Sequence, residues 1–225
     1  TLKTFGITVT ETENGWSIPG GQKYHGPRMR YAEGDWSNAA FWLVAGAIGG
    51  SIGCQGLDME SPQGDRAIAA LLEEFGAETK VALNQITATH KEMKGIRIDA
   101  SQIPDLVPIL CVAAAAAEGK TEIYNAGRLR MKESDRLAVM AECMQKIGVE
   151  VEERPDSIII TGGCNPPEGE IVIDSHNDHR IVMAMAIAAV SLGVELTILG
   201  AEAVNKSYPS FFIELAKLGG VTNVL

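Results

Sequence analysis

The stretch Asp178-His179-Arg180-Ile181-Val182-Met183-Ala184-Met185-Ala186-Ile187-Ala188-Ala189-Val190-Ser191-Leu192-Gly193 opens on an acid and two basic residues, runs apolar, and stops at glycine. A surface helix keeps one polar side, so a helix that is apolar nearly all round must be buried on every side. The pattern occurs twice more. Asp35 precedes the apolar, Ala-rich run 38–48, and Asp105 precedes the run 107–117. Gly49, Gly119 and Gly193 stand 14 or 15 residues after the three aspartates, where a helix C-cap is expected.

The residues after each helix repeat as well. Short alternating strands are predicted at 51–57, 121–124 and 195–199. A polar loop and a second, amphipathic helix follow. Leu71, Leu72 and Phe75 mark that helix in the first copy, Leu137, Met140, Met144 and Ile147 in the second, and Phe211, Phe212, Leu215 and Leu218 in the third. Gly76, Gly148 and Gly219 close these helices, 41, 43 and 41 residues after the starting aspartates. A strand is expected after each, with extra strands at 85–90 and 157–161. The starting aspartates lie 70 and 73 residues apart, too long for a typical solenoid unit. The predicted fold is therefore α/β (α+β), a three-fold repeat with three buried helices at its centre and sheets outside. Its repeats are about 35–104, 105–177 and 178–225.

Residues 1–30 stand apart from the domain 31–225. Residues 1–6 read as a helix end closed by Gly6. Residues 7–10 and 16–18 read as a hairpin turning at Glu13-Asn14-Gly15. Residues 19–27 read as a linker, with a boundary near Tyr31. A chain that opens in mid-element is expected to be a piece of a longer protein.

Composition narrows the function. The 225 residues are 46% hydrophobic and 21% charged, enough for a sizeable core, and the net charge is −10. That charge argues against nucleic acid and against an anionic membrane surface. The longest apolar run is far too short to span a bilayer, and no secretory or transit-type N-terminus is visible. The four cysteines form no CxxC pair and no zinc spacing. They read as reduced, packed cysteines of a cytoplasmic protein.

The loops before the second helices differ sharply. In the second copy Arg128, Arg130, Lys132 and Arg136 crowd into nine residues with Glu133 and Asp135, and the segment opens a helix. Cations oppose the dipole at a helix N-terminus unless an anion is bound there. One reading is thus a phosphate or carboxylate site; the other is a solvated helix start with local ion pairs. Asp178-His179-Arg180 is a second candidate, with Arg180 gripping a carboxylate or Asn177 or Asp178 simply capping a helix. Lys206 alone reads as a solvated loop lysine, and Asp105 alone as a cap or first-turn acid. The repeat joins them. Equivalent helix starts related by three-fold symmetry would converge, bringing Asp105, Lys132, Glu133, Arg136, His179, Arg180 and Lys206 to one end of the domain. Such a face suits a doubly anionic substrate and acid–base chemistry.

These motifs, Arg128 to Arg136, Asn177-Asp178-His179-Arg180 and the Lys206 loop, resemble those of the 5-enolpyruvylshikimate-3-phosphate synthase family. Glu33-Gly34-Asp35 with Ser37, and Ile103-Pro104-Asp105, are similar too, in the same order along the chain. The resemblance implies one domain of the two-domain enolpyruvyl transferase fold, an inside-out barrel whose domains each repeat a βαβαββ unit three times. It implies transfer of the enolpyruvyl group of phosphoenolpyruvate to the 5-hydroxyl of shikimate 3-phosphate, with no metal or organic cofactor. By position, Asp105 and Glu133 match the proton acceptor and the acid. Arg136 and Arg180 match the pair on the phosphoenolpyruvate carboxylate, with Lys206 and His179 at its phosphate. Asp105, Lys132 and Arg128 match contacts to shikimate 3-phosphate. Glu133 must hold a proton to act as the acid, which a closed, dehydrated cleft favours and nearby Lys132 and Arg136 oppose. The N-terminal domain, with its share of both substrate sites, is expected to be missing, so this half is expected to fold without turning over. Alternatives are half of a UDP-sugar enolpyruvyl transferase, or a non-catalytic anion-binding domain.

Overall fold

The computed structural model describes residues 2–26 and 32–223. The chain forms two compact units, Thr1–Glu33 and Gly34–Leu225. In the first, a single 3-10 turn, Leu2–Phe5, ends at Gly6 with φ 76°. Strand β1 (Thr10–Thr12) pairs antiparallel with β2 (Gly15–Ser17), and Thr12 faces Gly15. The hairpin is where the turn signal puts it, but its first strand lies nearer the turn than 7–10. A two-residue loop, Glu13-Asn14, fixes the register, so pairing starts beside it. The expected boundary at Tyr31 lies outside the described residues.

The second unit runs α1 (Trp36–Gly49), β3 (Ser51–Gln55), α2 (Ile68–Phe75), β4 (Glu78–Ala82), β5 (Gln85–Thr89) and β6 (Arg97–Asp99). It continues α3 (Val107–Ala116), β7 (Lys120–Tyr124), α4 (Arg136–Lys146), β8 (Glu150–Arg154), β9 (Ser157–Thr161) and β10 (Val172–Asp174). It ends with α5 (His179–Leu192), β11 (Thr197–Leu199) and α6 (Phe211–Lys217). Helices α1, α3 and α5 each touch the other two. Nine of the ten residues of α3 and ten of the 14 of α5 are buried, which is why these segments carry no polar stripe. Outside them lie sheets in the orders β3-β5-β4, β6-β7-β9-β8 and β10-β11. Trp42 of α1 stacks on Phe211 of α6 at 5.0 Å and donates its indole N–H to the Tyr208 hydroxyl at 3.1 Å, fastening α6 to α1.

Three expectations need correction. Strands β6 and β10 are too short to show alternation, yet β6 pairs parallel with β7 and β10 with β11, each across a buried helix. No strand follows α6 among the described residues. The strands after α2 and α4 are each half of a hairpin, β4 with β5 and β8 with β9, whereas residues 221–223 have no such partner. Of the glycines expected as C-caps of the buried helices, only Gly193 caps in the left-handed region, with φ 70°. Helix α1 is capped by Gly50, and α3 by the extended Ala117. No helix among the described residues is long and apolar enough to cross a membrane.

Candidate active site

The starts of α1, α3 and α5 meet at one end of the bundle, but their three aspartates do different work. Asp35 is an ordinary N-cap, accepting the backbone N–H groups of Ser37 and Asn38. Asp178 caps α5 through the Arg180 N–H at 3.0 Å. Asp105 caps nothing. It sits on the single 3-10 turn Pro104–Leu106, so its carboxylate is left to meet Arg136 at 2.8 Å, Lys132 at 3.2 Å and Arg180 at 3.4 Å.

Arg136 is the first residue of α4, yet its side chain is only 1% exposed. A buried guanidinium is tolerated only when paired. Its Nε and Nη2 donate to the two oxygens of Asp178 at 2.7 and 3.3 Å. Nη2 also donates to Glu133 at 2.6 Å, and Nη1 to Asp105. The anion that a basic helix start demands is thus present, and the protein's own carboxylates supply it. Neither a solvated start nor an external anion alone describes this. The two left-handed residues His176 (φ 50°) and Asn177 (φ 57°) turn the chain into Asp178. They also leave the Asn177 carbonyl to accept from Lys206, which joins the site there. His179 is buried at the start of α5, its Nδ1 without a hydrogen-bond partner among the described residues. Burial, aided by Arg180, holds its imidazole below the ordinary value despite Asp178.

Not every cation of the 128–136 segment joins this cluster. Arg130 turns away to Asp135, to Glu153, and to the backbone carbonyls of Arg154 and Pro155, fastening α4 to the β8–β9 turn. Arg128 reaches the Ser101 carbonyl at 3.5 Å and lines a neighbouring cleft of about 340 Å³. Asp105 borders both cleft and cluster. Asp65 also lines the cleft and was missed as a site residue. Its carboxyl is buried and bonded to the Ser37 hydroxyl. Burial raises its pKa, with the Ser37 bond pulling the other way. The clue was available, since Gln63-Gly64-Asp65 occupies the loop equivalent to the basic segment of the second copy. Asp178 was read only as a possible cap; its partner lies 42 residues away.

Burial disfavours the charge of Asp178, but Arg136, the Arg180 N–H and Ser134 outweigh it and hold this carboxyl below the usual range. Asp105 behaves likewise, with Arg180, Lys132 and Arg136 outweighing burial. A carboxyl depressed in the folded state stabilises above its unfolded pKa, and that stability is lost as pH falls through the folded value. Urea midpoints should therefore fall steeply below about pH 4, where unfolded aspartates titrate. The descent should be shallower in Asp178→Asn; equal slopes would refute the assignment.

The family model for EPSP synthase (3-phosphoshikimate 1-carboxyvinyltransferase) matches residues 1–215. The 3-phosphoshikimate 1-carboxyvinyltransferase of Clostridium acetobutylicum is 47% identical over 222 residues, which are 97% of this chain and 50% of that protein. The structure of EPSP synthase from Acinetobacter baumannii is similar with a TM-score of 0.78 at 33% identity, covering 98% of this chain and 53% of that one. The enolpyruvyl transferase NikO from Streptomyces tendae shares the fold, with a TM-score of 0.74 at 19% identity over 98% of this chain and 52% of that one. The chain spans about half the length of the curated relatives it matches.

Proposed function

The chain belongs to the EPSP synthase family, and from that premise we propose that it forms one wall of an enolpyruvyl transferase site. The reaction moves the enolpyruvyl group of phosphoenolpyruvate to the 5-hydroxyl of shikimate 3-phosphate and releases phosphate. The observation that carries the reading is the buried Arg136, set beside Arg180 and Lys132 around the single carboxylate of Asp105, with Glu133 at its rim.

In this reading Arg136 and Arg180 hold the carboxylate of phosphoenolpyruvate, for which a planar fork of N–H donors is suited. Lys206 and the neutral His179 stand by for its phosphate. Lys132 and Arg128 take the phosphorylated hydroxy acid, and the cleft beside Asp105 receives its hydroxyls. Addition needs a proton removed from the attacking hydroxyl and one delivered to the methylene carbon of phosphoenolpyruvate. Asp105 takes the first and Glu133 gives the second. Elimination then takes a proton from the new methyl group as phosphate leaves. With three cations around it, Asp105 is ionised but a weak base. Its proton affinity rises once Lys132 and Arg180 pair with substrate anions instead. The complementary half of the protein supplies the facing wall. The four free cysteines fit a reducing compartment such as the cytoplasm.

A chemical-shift titration of this chain with phosphoenolpyruvate tests the reading. Shifts confined to Lys132–Arg136, His179, Arg180 and Lys206 are expected. The same sample should release no phosphate when shikimate 3-phosphate is added, because one wall alone does not enclose the reacting atoms. Shifts elsewhere, or none, count against the site; phosphate release counts against the need for a second wall.

A further inference from the structure

Taking Arg136 as the carboxylate-binding residue, which rests on the reading above, we propose that an incoming carboxylate displaces Glu133 from Arg136. Binding then releases Glu133, which takes up a proton from solvent and can pass it to the substrate, so that the acid is free only when the ligand is in place. A guanidinium has five N–H groups in a fixed plane. Nε and one Nη2 hydrogen serve Asp178, the other Nη2 hydrogen serves Glu133, and one Nη1 hydrogen serves Asp105. A carboxylate is gripped best by two parallel N–H groups, and a single Nη1 hydrogen remains. One occupant has to leave.

The three carboxylates differ in how firmly they are held. Asp178 is fully buried and also accepts from Ser134 at 3.0 Å and from the Arg180 N–H, so its departure would uncap α5. Asp105 is 32% exposed and answers to three cations. Glu133 is 43% exposed, and Arg136 is its sole ion-pair partner among the described residues. Water can solvate Glu133 on release, and no other contact opposes it. Its departure frees an Nη2 hydrogen, which with an Nη1 hydrogen can make the end-on fork a carboxylate needs. Asp178 meanwhile keeps the guanidinium in place through Nε.

While Glu133 occupies the fork it competes with the ligand, and apparent affinity falls by the fraction of sites that are open. With Glu133 43% exposed, that fraction corresponds to roughly two- to fivefold. Calorimetric titration of phosphoenolpyruvate into this chain and into Glu133→Gln therefore has an unusual expected result: loss of the acid tightens binding by that factor. In the unsubstituted chain, the side-chain carboxyl resonance of Glu133 should move on saturation while that of Asp178 stays. Equal or weaker binding by Glu133→Gln, with binding still lost in Arg180→Ala, overturns the exchange and leaves the anion site standing. Failure of both the unsubstituted chain and Glu133→Gln to bind overturns the exchange together with the role of Arg136. Circular dichroism on each variant excludes unfolding as the cause.

Discussion

Asp178→Ala is expected to lower stability by about 3–5 kcal/mol, the range for stripping one partner from a buried ion pair. The measurement is a drop in urea midpoint at unchanged slope. Two effects are removed together. Loss of the α5 cap accounts for about 0.5–2 kcal/mol. The remainder comes from Arg136, which at 1% exposure cannot recover its hydration once the bidentate partner is gone. The size of the loss decides between them: a change confined to the capping range means that the guanidinium finds water or leans wholly on Asp105 and Glu133. A double substitution separates the terms further. Asp178→Ala with Arg136→Met removes both charges, and replacing a buried pair by apolar groups is often close to neutral. It should therefore be more stable than Asp178→Ala alone. Simple additivity of the two single losses would show that the residues do not act as a pair.

The cluster also shows what the sequence can disclose about such a site. Helical periodicity and the repeated acid-to-glycine spacing locate three helix starts, and the apolar faces require the helices to bundle. From that follows the expectation that Asp105, Lys132, Glu133, Arg136, His179, Arg180 and Lys206 share one end, and the structure pairs Asp105 with Lys132, Arg136 and Arg180. Which carboxylate meets which cation was not legible, because spacing along the chain carries no information about side-chain direction across copies. A basic helix start opposes the dipole unless an anion pairs with it, and here a carboxylate does. That Asp178, 42 residues on, provides it follows only from the packing of α4 against α5. Arg130 resembled its neighbours in charge and spacing, yet it went to the β8–β9 turn. Asp65 lies in the loop before α2 with Arg66 as its one basic neighbour there, so composition drew attention elsewhere.

Glycines reveal the same limit more sharply, and two of them make a paired prediction of opposite sign. Gly49 fitted the expected C-cap of α1, which would demand a left-handed backbone. Instead it is the last helical residue, its φ is not left-handed, and an added Cβ would meet nothing within 4 Å. Gly49→Ala should therefore stabilise the protein by about 0.5–1 kcal/mol, by narrowing the unfolded ensemble. Gly162 carried no signal beyond following a strand. Its N–H bonds the Gly119 carbonyl at 2.8 Å, and the next N–H, of Gly163, bonds the Ala115 carbonyl at 2.8 Å. The second of these satisfies a carbonyl left open at the end of the buried helix α3. A Cβ on Gly162 would stand 1.5 Å from the Ala117 carbonyl oxygen, a backbone atom that cannot step aside without moving that helix end. Overpacking typically costs about 1–3 kcal/mol, and each hydrogen bond pulled apart about 1 kcal/mol more. Gly162→Ala should thus lose about 3–5 kcal/mol, on the order of 10 °C in melting temperature for a chain of this length. Calorimetric melts of the two variants check both signs at once. A destabilised Gly49→Ala would mean that α1 does end in a left-handed cap, and a neutral Gly162→Ala would mean that β9 does not approach α3 so closely. The second result would loosen the link between the outer sheet and α3, the central helix that follows the 3-10 turn bearing Asp105.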